Sequence, residues 1–165
     1  MFYILVFVAL FVVFLLISRG NTVKEVPVSY SLKGPLFTPT ERTFLAALNQ
    51  ACGVNAKVFV KIRVADVIKP QPGLNKTQWQ SAFNQISSKH FDYILCDPIS
   101  LAVMAVVEFD DRRHTQPKNV ERDKFVDEIC ASASLKLHRF SAEYAYNSDE
   151  MRKTLFPEIE SANAA

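Results

Sequence analysis

The chain opens with an unbroken apolar run, "FYILVFVALFVVFLLI" at positions 2–17, and its first charged side chain is Arg19. A run of this length stands at the short end of the roughly 17–25 residues that a helix needs to cross a bilayer. No basic residue precedes it and no small-x-small cleavage pattern follows it, so an uncleaved anchor is expected rather than a signal peptide. Arg19, Lys24 and Lys33 all follow the run. By the positive-inside rule, that asymmetry places the rest of the chain on the cytoplasmic side of the inner membrane, as a single-pass protein partnered with the membrane through residues 2–17.

Beyond the run, the pattern changes to alternating helix and strand periods. "FTPTERTFLAALNQA" starts a helix: Thr38 can cap, Pro39 suits the first position and Glu41 completes a Thr-x-x-Glu capping box. Phe44, Leu45, Leu48 and Cys52 then form one stripe. "KVFVKIRVADVI" alternates as a strand, and "KTQWQSAFNQIS" is a short helix. Strands over Phe91–Cys96 and Ala102–Phe109 flank the turn "DPIS". "NVERDKFVDEICASA" is a helix capped by Asn119, "LKLHRF" a last core strand, and "SDEMRKTLF" a final helix capped by Ser148. The order α-β-α-β-β-α-β-α predicts an α/β or α+β mixed sheet with helices on its faces. The chain then divides into an anchor (1–18), a linker (19–36), a globular domain (37–156) and a tail (157–165).

Charge and cysteine content narrow the function classes. The net charge of +2 belongs to residues 1–36, while residues 37–165 sum to zero. A neutral domain is not a strong non-specific nucleic-acid binder, because that affinity comes from neutralising phosphates. Any nucleic-acid partner therefore needs a local basic patch. Cys52, Cys96 and Cys130 are far apart and form no CxxC pair, which suggests buried free thiols rather than zinc ligands or disulfides. No dinucleotide fingerprint, P-loop, HExxH or GxSxG occurs.

The candidate chemistry lies in "FDYILCDPISLAVMAVVEFDDRRH", residues 91–114. Glu108 and Asp110 are two apart on one strand and share a face. An antiparallel hairpin brings Asp92 opposite the Glu108 end. Three convergent carboxylates would repel unless a hard divalent cation, Mg2+ or Mn2+, sat among them. His114 follows as a general acid or base. Lys89, Arg112 and Arg113 are placed to hold phosphate. Asp97 reads as a turn residue, Asp111 as a loop acid, and His90 and His138 as structural or surface histidines. Capping alone explains Glu41, although it lies on the inward face of its helix.

These segments, with "LFTPTERTFLAAL", "VFVKIRVADVIKP" and "ERDKFVDEICASASLKLHRF", resemble a bacterial family, domain of unknown function 2726. That family is itself similar to PD-(D/E)XK nucleases of the very-short-patch-repair type. The resemblance spans roughly residues 36–146. It implies a restriction-endonuclease-like αβββαβ core in which Asp92 is the motif aspartate, Glu108 the (D/E) and Glu41 a first-helix acid. Asp110 stands where the family's lysine belongs, and His114 becomes the substitute for proton transfer. The expected function is a membrane-anchored, metal-dependent phosphodiesterase or endonuclease with Asp92, Glu108, Asp110, His114 and Glu41 in the active site. The alternatives are an inactive nuclease-fold module that binds nucleic acid or a protein at the membrane, and a structural membrane protein whose acids serve only solubility and capping.

Overall fold

The computed structural model describes residues 2–18, 28–110, 117–143 and 145–159. The chain divides into two units, residues 1–34 and 35–165. Among the described residues of the first is the helix α1 (Phe2–Ser18), of 17 residues. At 1.5 Å per residue it is about 25 Å long, shorter than the roughly 30 Å hydrocarbon core of a bilayer. Among the described residues no helix is long and apolar enough to cross a membrane. The expected transmembrane anchor through residues 2–17 is therefore corrected. The single-pass inner-membrane location and the membrane partner that depended on it are withdrawn as well.

The second unit is a mixed α/β sheet domain, as the periodicities predict. Its elements are α2 (Pro39–Cys52), β1 (Lys57–Arg63), α3 (Val64–Val67), α4 (Lys76–Ser87), β2 (His90–Cys96), β3 (Val103–Asp110), α5 (Pro117–Ser132), β4 (Lys136–Ser141) and α6 (Ser148–Leu155). The sheet runs β1-β2-β3-β4. β1–β2 and β2–β3 are antiparallel, and β3–β4 is parallel across the α5 crossover.

Local chemistry accounts for the helix ends. Thr38 and Glu41 form the capping box of α2, with Thr38 N–H donating to Glu41 Oε2 at 2.8 Å. Gly53, at φ +51°, ends the helix by donating its N–H to Asn49 O. A side chain would be strained in that left-handed conformation. Asn75 and Gln78 build a second capping box on α4. Three boundaries differ from expectation. Asn147, rather than Ser148, caps α6, accepting from the N–H groups of Asp149 and Glu150. α5 begins at Pro117, ahead of Asn119, with proline at a position whose N–H has no helical partner anyway. The strand predicted through Ile68 ends at Arg63. The chain turns there into α3, burying Val64 and donating the Val64 N–H to Lys89 O at 2.9 Å.

Two cores lie on the two faces of the sheet. The first joins α2 and α6 to Tyr93, Leu95, Ala105 and Val107. Phe44 is fully buried at its centre, its ring 4.8 Å from Phe109 and 5.3 Å from Tyr93. Burying such a ring contributes about 1.5–3 kcal/mol. The second core joins Val64, Ile86, Val126 and Cys130 to Phe91, Ile94, Cys96 and Val106. All three cysteines are free and buried, and burial pushes the Cys52 and Cys130 thiols up to about 11.

Candidate functional site

Side chains two apart on a strand share a face, and β3 obeys this rule: Ala105 and Val107 enter the first core, Val106 the second. β1 and β2 break it at facing positions. Val58 and Val60 pack with the first core but Ile62 with the second, and Tyr93 packs with the first but Phe91 with the second. The residues between are Lys61 and Asp92, which the flanking pairs Val60↔Tyr93 and Ile62↔Phe91 set opposite one another. Lys61 supplies the inversion on β1, with φ at +51°. Backbone strain of this kind costs on the order of 1–3 kcal/mol and persists only where the surroundings enforce it.

The surroundings are the paired strands on either side and, at the side chain, an ionic network. Lys61 Nζ donates to Asp92 Oδ1 at 2.9 Å and to Glu41 Oε1 at 3.2 Å. Burial opposes the charge on Lys61, but the two carboxylates outweigh it and hold the ammonium above its ordinary range. Burial likewise pushes Glu41 up. The Thr38 hydrogen bonds and Lys61 outweigh it and leave Glu41 below the usual carboxylate range.

At the same level β2 parts from β3. Their pairing runs from Cys96 to Tyr93↔Val107, whereas β3 stays paired to β4 as far as Asp110↔Ser141. Two carboxylates span the opening in reciprocal fashion. The Asp92 N–H donates to Glu108 Oε1, and the Phe109 N–H donates to Asp92 Oδ2, each at 3.3 Å. Glu108 Oε2 accepts from Arg122 of α5 at 3.4 Å, and Arg122 also lies 3.9 Å from Asp92. Glu108 is 3% exposed. Burial pushes its carboxyl up to about 7, helped by the neighbouring Asp92 and opposed by the Asp92 N–H and Arg122.

Thus Glu41, Asp92 and Glu108 are brought into one network, while Asp110 leaves it for Arg139, at 3.5 Å. Arg139 also pairs with Asp127, at 3.0 Å. Among the described residues no group of three His, Cys, Asp or Glu side chains is placed to hold a metal ion. The expected Mg2+ or Mn2+ cofactor is corrected on this geometry. The carboxylate oxygens of Asp92 and Glu108 are engaged by lysine, arginine and backbone N–H groups, and Asp110 does not converge with them. The metal-dependent phosphodiesterase or endonuclease activity that rested on the cation is corrected with it. Arg112, Arg113 and His114, with Asp111, lie outside the described residues. Asp97 holds the turn, its Oδ1 accepting from the N–H groups of Ile99 and Ser100.

Beside the network opens a cleft of about 1020 Å3, whose walls include Lys61, Lys89, His90, Asp92, Arg122 and Phe125. Lys89, expected to hold phosphate, has its Nζ 4.5 Å from the centre of the Phe125 ring. Lys61, Arg122 and Phe125 were not foreseen. Lys61 looks like an outward lysine on an alternating strand, and its positive φ has no sequence signal. Arg122 and Phe125, three apart in "ERDKF", do predict a shared helix face.

A mixed four-stranded sheet with an ion-paired carboxylate network at a strand opening defines the class. The profile of a family described as protein of unknown function (DUF2726) matches residues 33–159, and the chain belongs to that family. No curated protein and no solved structure matches the chain.

Proposed function

We propose that the domain is a nucleic-acid-binding module that holds a phosphate backbone in the cleft beside Lys61 and Arg122. One observation carries this reading: Lys61, Lys89 and Arg122, with His90, outnumber the acids Asp92 and Glu121 along one open cleft of a domain whose charges sum to zero. That is the local basic patch which a neutral domain requires. In this reading Asp92 and Glu108 orient Lys61 and Arg122, so that their remaining N–H groups face an anionic ligand. Lys89 supplies a further cation, and Asp92 and the exposed Glu121 are the acids of the same cleft wall among the described residues. The proposed kinship with PD-(D/E)XK domains is compatible with the element order. With α3 and α4 set aside, α2-β1-β2-β3-α5-β4 is an αβββαβ series.

The test is fluorescence anisotropy of labelled DNA and RNA oligonucleotides against salt concentration. Lys89→Ala is expected to weaken binding uniformly across sequences and to reduce the salt slope by about 1. Undiminished affinity and slope in both Lys89→Ala and Arg122→Ala would remove the cleft from the reading.

A further inference from the structure

Phe125 stands between two environments. The residue lines a cavity whose walls include Ile68, Ala82, Ile86 and Ile129, with Gln85 and Glu128 among its polar groups. It also lines the basic cleft, where the Lys89 ammonium lies over its ring at 4.5 Å. The ring is therefore packed against the second core on one side and faced by the Lys89 ammonium on the other. It follows Arg122 by three residues on α5, so the ring and the guanidinium rise from one helix face.

We propose that the cleft takes a single strand of nucleic acid, with one base stacked on the face of Phe125 in place of the Lys89 ammonium. This rests on the reading of the cleft as a phosphate-binding site. A base presents a π-face that stacks on an aromatic plate whatever its identity. In a duplex that face is already covered by neighbouring bases. The displaced Lys89 ammonium moves to the phosphate beside the stacked base, exchanging a cation–π contact for an ion pair. The cleft's roughly 1020 Å3 resembles a ligand pocket of about 300–1,000 Å3 and suits a short stretch of one strand rather than a double helix.

Three probes of equal length test this on the full chain: a mixed-sequence single strand, the same strand with abasic central positions, and a duplex. The base-bearing strand is expected to bind about tenfold more tightly than the abasic strand, the ratio of one stacked base. Phe125→Leu keeps the apolar volume and is expected to abolish that ratio, whereas Phe125→Trp is expected to preserve it. Circular dichroism confirms that both variants fold. Equal affinity for base-bearing and abasic strands, or a ratio unchanged in Phe125→Leu, overturns the stacking proposal while phosphate binding stands. Failure to bind any probe overturns both.

Discussion

The β2–β3 pair is closed at each end by an aspartate, and the two ends work differently. At the turn, Asp97 accepts the N–H groups of Ile99 and Ser100 and the Ser100 hydroxyl, all in contact with water. Those hydrogen bonds hold its carboxyl below the usual range. At the open end, Asp92 and Glu108 also accept backbone N–H groups, but from the strand opposite, and in a buried setting. There the hydrogen bonds do not suffice. Lys61 and Arg122 must balance the charge, and Glu108 is still pushed up to about 7. The same backbone interaction is self-sufficient in water and needs a charged shell in the interior.

Asp92→Ala breaks this contrast most strongly. It strands the Phe109 N–H and takes from Lys61 the nearer of its two carboxylates. The expected loss is about 3 kcal/mol, because removing one partner leaves the other's desolvation uncompensated. Denaturant unfolding at neutral pH measures it, and Asp97→Ala is expected to move the midpoint far less. Equal shifts would mean that the open end is no more demanding than the turn.

Glu108→Gln tests the electrostatic part. The folded carboxyl keeps its proton up to about pH 7, while the unfolded chain releases it near its ordinary value of 4.5. Across that window the folded state holds the extra proton. Stability from this group is therefore full below about 4.5 and is lost as pH rises through about 7. The size is on the order of 3 kcal/mol between pH 4.5 and 8. Charged neighbours of Glu108 are Asp92 on β2, Arg122 on α5 and Arg139 on β4. His138, held low by burial and Lys136, pushes stability the opposite way with pH. It is common to both proteins, so the difference between their pH–stability curves isolates Glu108. That difference is expected to flatten the wild-type fall, and parallel curves would refute the buried-carboxylate account.

Much of the domain was legible because its signals are local. The Thr38–Glu41 capping box, the α2 stripe and the antiparallel placement of Asp92 opposite Glu108 depend on spacing alone. What spacing could not supply was the partner of each acid. Asp110 shares a face with Glu108, yet Arg139, on the neighbouring parallel strand, is what it meets. That pairing depends on a crossover whose register no local pattern encodes. A convergent triad of Asp92, Glu108 and Asp110 was therefore inferred where Asp92 and Glu108 meet Lys61 and Arg122, with Glu41 as the lysine's second partner. The apolar run at positions 2–17 was legible as a helix, but not as a membrane span: among the described residues no helix is long and apolar enough to cross a bilayer.

The smallest effect concerns the backbone that makes the open end. Lys61 holds a φ of +51° within a strand, where a residue with a Cβ ordinarily pays on the order of 1–2 kcal/mol. Lys61→Ala and Lys61→Gly both remove the ammonium from Asp92 and Glu41, so both are expected to fall below wild type in stability. In an ordinary strand interior the glycine variant would be the weaker, through its greater unfolded-state entropy. Here the left-handed conformation reverses the order, and Lys61→Gly is expected to exceed Lys61→Ala by about 1 kcal/mol. Urea unfolding of the two variants side by side reads this directly, because the lost ion pairs cancel between them. An alanine variant as stable as glycine would mean that the strand relaxes once the lysine is gone. The ion pairs, rather than the sheet around them, would then be what holds β1 in its inverted course.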